Sequence, residues 1–133
     1  MTLAEAQAAQ GNIAAAEATL DSLRADEQDK PEVATLRSQL FFDGQVVDAP
    51  AATELEAKLA VDPGDTKALF QLALRKVVDQ DYETGMQLLL KLMQLDRSFG
   101  DDAGRRSLLK VFELLGDDAR VNQYRRRMAS LLH

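Results

Sequence analysis

One spacing constrains this chain more than any other: six positions recur at a single offset of 69 residues. Ala4, Gly11, Ile13, Ala16, Leu20 and Leu23 are answered by Ala73, Gln80, Tyr82, Gly85, Leu89 and Leu92. Each set reads as two short helices around a turn. Antiparallel helices in contact need a small residue where their backbones approach, which Ala4 and Ala73, and Ala16 and Gly85, supply. The larger residues fill the seam toward neighbouring pairs. A single pair cannot hide both of its apolar faces, so such pairs stack.

Breakers mark the segments. Leu3 to Gln10 ends at Gly11-Asn12, and Ile13 to Arg24 follows with a stripe at Ile13, Ala16, Leu20 and Leu23. Residues 25–30 read as a polar loop. Pro31 opens a helix through Val33, Leu36 and Leu40 that Asp43-Gly44 should break. Pro50 opens another, closed by Asp62-Pro63-Gly64. Thr66 is the expected N-cap of a helix through Val78, and Tyr82 to Leu95 follows. Phe99 to Asp102 reads as a loop, before helices over about 103–115 and 119–132 split by Gly116-Asp117. No segment alternates with period two long enough to be a strand.

The expectation is an all-α chain of about four antiparallel helix pairs, near 1–25, 31–62, 66–96 and 102–132. Half of the 69-residue offset is close to the period of a tetratricopeptide repeat, whose pairs stack into a right-handed superhelix. The last two pairs repeat at an offset of 36, with Leu72, Leu92 and Leu95 matched by Leu108, Met128 and Leu131. Only Met1 to Leu3 precede Ala4, whereas Thr66 to Leu72 precede Ala73. That asymmetry suggests a fragment whose first helix begins upstream.

Composition removes whole classes of chemistry. There is no cysteine, and the single histidine is His133, so thiol, histidine and the usual metal chemistry lack their residues. Aromatics are 5% with no tryptophan, and the net charge is −6, which argues against nucleic-acid binding. No apolar run reaches the roughly 20 residues that span a bilayer, and the start lacks the basic and apolar regions of a signal peptide. A cytoplasmic protein without membrane contact is expected. The charge is uneven. Residues 1–104 carry 9 Lys and Arg against 19 Asp and Glu, whereas residues 105–133 carry 7 against 3. The basic end either lies against acidic neighbours or docks an acidic partner.

No catalytic constellation emerges, and no enzyme activity or cofactor is expected. Asp79, Asp81, Glu83 and Gly85 miss the register of a calcium loop, with Leu90 where a bidentate glutamate is needed. Phosphate-cradling glycine motifs are absent. Glu54 and Glu56 lie two apart on a helix and cannot face each other. The candidate binding stripe is Lys67, Phe70, Leu74, Val77 and Val78. One lysine among apolar residues is a poor grip for a C-terminal carboxylate. It suits an apolar groove for exposed hydrophobic segments, or packing against the flanking pairs. Arg125 and Arg126 mark the basic end. Arg125, Arg126 and Arg127 advance about 100° each around a helix, so they cannot point one way, and at least one should cover apolar surface with its stem.

Several stretches resemble the repeat region of the chaperedoxins, the YbbN-type thioredoxin-like co-chaperones. They are Leu3-Ala4-Glu5-Ala6-Gln7 with Gly11-Asn12 and Ala15-Ala16-Glu17, Phe70-Gln71-Leu72-Ala73, Phe99-Gly100-Asp101-Asp102 with Arg105, and Tyr124-Arg125-Arg126-Arg127 with Ser130-Leu131-Leu132. The resemblance implies a bacterial cytoplasmic protein with a thioredoxin domain upstream of helical repeats. It implies partners that are unfolded clients, a chaperonin or Hsp70-type chaperones. Cysteine-based activity does not carry over, since this chain has none. What remains is a protein-binding module, or a general scaffold that self-associates.

Overall fold

The computed structural model describes residues 2–132; Met1 and His133, the chain's single histidine, lie outside the described residues. Among the described residues every regular element is helical. They are α1 (Thr2–Ala9), α2 (Ile13–Asp21), α3 (Ala25–Gln28), α4 (Pro31–Gln45), α5 (Ala52–Val61), α6 (Thr66–Val78), α7 (Tyr82–Leu95), α8 (Phe99–Leu115) and α9 (Ala119–Leu131). None is long and apolar enough to cross a membrane.

The 69-residue repeat is written into the backbone. Gly11 and Gln80 both take left-handed conformations, with φ of 77° and 66°. The Asn12 N–H donates to the Gln7 carbonyl at 2.9 Å, and the Asp81 N–H donates to that of Lys76 at 2.8 Å. Gly11 and Gln80 each donate to the carbonyl three residues back, Ala8 or Val77, at 3.0 Å. These are Schellman closures, one with glycine and one with a residue that pays for positive φ. The next helix opens identically. The Asn12 side chain accepts from the Ala15 N–H, and the Asp81 side chain accepts from that of Thr84. Ala4, Ala16, Ala73 and Gly85 are all buried, so the small residues stand where α1 meets α2 and α6 meets α7.

Two local expectations shift. Thr66 does not cap α6; Asp65 does, accepting from the Ala68 N–H at 3.1 Å. Residues 25–28 are a one-turn helix rather than a plain loop. The Gln28 amide holds that turn by donating to the Leu23 carbonyl, and Arg37 bonds both Asp21 and Gln28.

The larger departure is α4. Asp43-Gly44 does not break it, and it runs on to Gln45. Its first half packs Val33, Leu36 and Leu40 with Ala4, Ala16 and Leu20 of the N-terminal hairpin. Its last turns put Phe42, and its C-cap puts Val46, into the main core with Leu74, Val77, Leu108, Val111 and Phe112. Burying two such side chains is worth about 3 kcal/mol or more, which outweighs about 1 kcal/mol for a helical glycine. The 31–62 segment is therefore not a hairpin: α4 lies on α2, α6 and α8, while α5 packs on α6 through Leu55, Ala68 and Leu72. The Arg75 guanidinium ties the intervening link to α6, donating to the carbonyls of Ala49 at 2.6 Å and Pro50 at 3.0 Å.

Candidate functional site

With α4 seated between α6 and α8, the apolar side of those helices is only partly filled. Leu74 and Val77 are buried under α4, so this part of the stripe is core. Val77 and Val78 border a cavity of about 30 Å³ with Phe42, Asp43 and Tyr82, too small for a partner. Alongside the last turns of α4 the groove stays open, as a cleft of about 490 Å³. It is lined by Phe41 of α4, Lys67, Phe70 and Leu74 of α6, and Phe99 and Arg106 of α8. That volume lies within the range of sites that hold small ligands or short peptide segments.

Three phenylalanines from three helices thus converge on one opening. The Phe70 and Phe99 rings are 5.7 Å apart and tilted by 58°. Phe41 sits edge-on to buried Phe42 at 5.2 Å, with the Lys110 ammonium 5.6 Å from its centroid. Such pairs gain about 0.5–1.5 kcal/mol beyond area burial, which holds the rings as a preset apolar wall.

The wall depends on an unusual turn. Gly100, Asp101 and Asp102 all have positive φ, at 58°, 59° and 65°, and right-handed geometry begins only at Ala103. The loop expected over 99–102 is instead a left-handed turn that opens α8, and the right-handed helix starts at the expected Ala103. Two non-glycine residues in the left-handed region cost roughly 1 kcal/mol each. The Arg106 guanidinium offsets the cost by donating to the Gly100 and Asp101 carbonyls, both at 2.9 Å. The turn carries Phe99 back toward Phe70. Arg106 is thereby occupied as a brace, and Lys67, which has no ion pair among the described residues, is the available cation of the cleft.

Family models of the tetratricopeptide repeat match residues 45–133 and residues 1–40. The chain belongs to the tetratricopeptide-repeat family. The gap between the two matches falls inside α4, the helix shared by the two cores of this tetratricopeptide domain. No curated protein matches the chain. Tetratricopeptide repeats mediate binding to other proteins and are typically non-catalytic scaffolds. Among the described residues no group of His, Asp and Glu side chains is placed to hold a metal ion.

The basic end divides. Arg125 lies over the Phe112 ring at 5.2 Å and Arg127 over Tyr124 at 4.9 Å, and both Arg126 and Arg127 line a separate cleft between α7 and α9. The Tyr124 hydroxyl donates to Glu83 at 3.0 Å. Burial, followed by that bond, pushes the Tyr124 hydroxyl above its usual value of 10.0. Phe41, Phe99 and Arg106 had no place in the sequence-derived stripe. Their spacing, 58 residues from Phe41 to Phe99, carries no local signal, and only the seating of α4 brings them together.

Proposed function

We propose that this tetratricopeptide domain docks exposed apolar segments of unfolded client proteins in the Phe41–Phe70–Phe99 cleft. One observation carries the reading: three partly buried rings, one each from α4, α6 and α8, line a single open cleft. An apolar wall with one free lysine suits a hydrophobic side chain flanked by polar backbone better than it suits a terminal carboxylate. The chaperedoxin-like sequence stretches support the finer reading. The domain serves a cytoplasmic bacterial co-chaperone with a thioredoxin-like partner domain, receiving clients and passing them to a chaperonin or Hsp70-type chaperone. The alternative is a scaffold or oligomerisation domain.

A pull-down with a permanently unfolded client and with purified chaperonin separates the two. Capture of the client by the wild type, and its loss in Phe70→Ser with helicity retained, supports docking. Binding to neither, together with stable self-association, would establish the scaffold instead.

A further inference from the structure

A second cleft, sharing no lining residue with the first, runs between α7 and α9. It measures about 670 Å³ and is lined by Gln87, Leu90, Lys91 and Gln94 on one side and Arg126, Arg127, Ser130 and Leu131 on the other. We propose that it docks an acidic polypeptide segment of a partner protein. Leu90 and Leu131 take its apolar side chains, and Lys91, Arg126 and Arg127 take its carboxylates.

The charge pattern selects that partner. The lining holds three cations and no carboxylate, in a chain with 22 acids and 16 bases. Among the described residues none of the three cations forms an ion pair. Arg127 is stacked on Tyr124, which fixes its position at little further entropic cost on binding. Gln87 and Gln94, two helical turns apart on α7, and Ser130 on α9 can bond a peptide backbone.

Other anions fit less well. Both walls are helix interiors whose N–H groups are used within the helices, so no backbone cradle for a phosphate exists. No aromatic lines the cleft to stack a base, and the acidic remainder of the chain repels nucleic acid.

The test is fluorescence anisotropy of a labelled ten-residue peptide of alternating Glu and Leu against its Gln–Leu counterpart. The Glu–Leu peptide should bind at least about tenfold more tightly than the Gln–Leu one, and added salt should weaken it. Lys91→Glu with Arg126→Glu should weaken it by about tenfold or more, since each exposed ion pair contributes up to about a factor of five and reversal adds repulsion. Should that variant lose helicity by circular dichroism, Lys91→Gln with Arg126→Gln replaces it, with at least about a threefold loss expected. Equal binding of the two peptides, or undiminished binding by a folded variant, overturns the proposal. So does displacement by inorganic phosphate beyond what sodium chloride of equal ionic strength produces. Self-association that the double variant abolishes, without peptide binding, would assign the cleft to a second copy instead.

Discussion

Gly85 meets Val77 across the α6–α7 hairpin so closely that a methyl group on Gly85 would stand 2.7 Å from the Val77 Cγ2 methyl. It would also lie 3.2 Å from the Ala73 carbonyl oxygen, which cannot swing aside as a side-chain tip could. Gly44, in the last turn of α4, faces nothing within 4 Å.

The same substitution should therefore have opposite signs at the two glycines. Helix propensity alone favours alanine by about 1 kcal/mol. Gly44→Ala should gain about 0.5–1 kcal/mol, whereas overpacking should make Gly85→Ala lose about 1–2 kcal/mol net. Urea denaturation of both variants checks this. Adding Val77→Ala to Gly85→Ala should recover part of the packing loss, because the tightest contact is then removed.

Asp43 should be a cost to the fold at neutral pH. Burial raises its carboxyl above the usual 3.8, and it sits in the last turn of α4, at the negative end of the helix dipole. A carboxyl with a raised folded-state pKa favours folding below its unfolded value and loses that contribution as pH rises through the folded value. Asp43→Asn should thus gain about 0.5 kcal/mol at pH 7. The gain should shrink as pH falls toward 3.8, as followed by thermal melts at several pH values.

Asp118 should behave oppositely. Its carboxylate accepts from the Arg120 backbone N–H at 2.9 Å and from the guanidinium at 2.7 Å and 3.0 Å. Those bonds, the side-chain one first, hold its pKa down to about 2. The depressed value means its contribution is present above 3.8 and lost as pH falls through about 2. Asp118→Ala should lower Tm at pH 7 and loosen the start of α9. The difference from wild type should close between pH 3.8 and about 2. Thermal melts over that range, with amide exchange at Arg120, are the readout.

The hairpins were legible in the sequence because their determinants are local. A small residue at Ala16 and Gly85, a turn residue at Gly11 and Gln80, and a capping side chain at Asn12 and Asp81 all fall at fixed offsets. The course of α4 was not legible. Asp43-Gly44 reads as a stop, and only the burial of Phe42 and Val46 against α6 and α8 overrides it. The cleft was half legible for the same reason. Lys67 and Phe70 lie on one helix stripe, whereas Phe41 and Phe99 reach them through tertiary packing and three left-handed residues.

The turn makes a prediction of its own. Arg106→Ala removes both bonds to the Gly100 and Asp101 carbonyls and should free the 99–102 segment while leaving the core intact. A loss of about 1–2 kcal/mol is expected by chemical denaturation, together with faster amide exchange at 100–102.

The most direct measurement is an NMR titration of the isotope-labelled chain with an uncharged peptide rich in Leu and Phe, as a stand-in for an unfolded client. Shift changes concentrated at Phe41, Phe70, Leu74 and Phe99, and abolished by Phe70→Ser, are the predicted result. Changes spread evenly over the surface, or confined to residues outside that cleft, would contradict it.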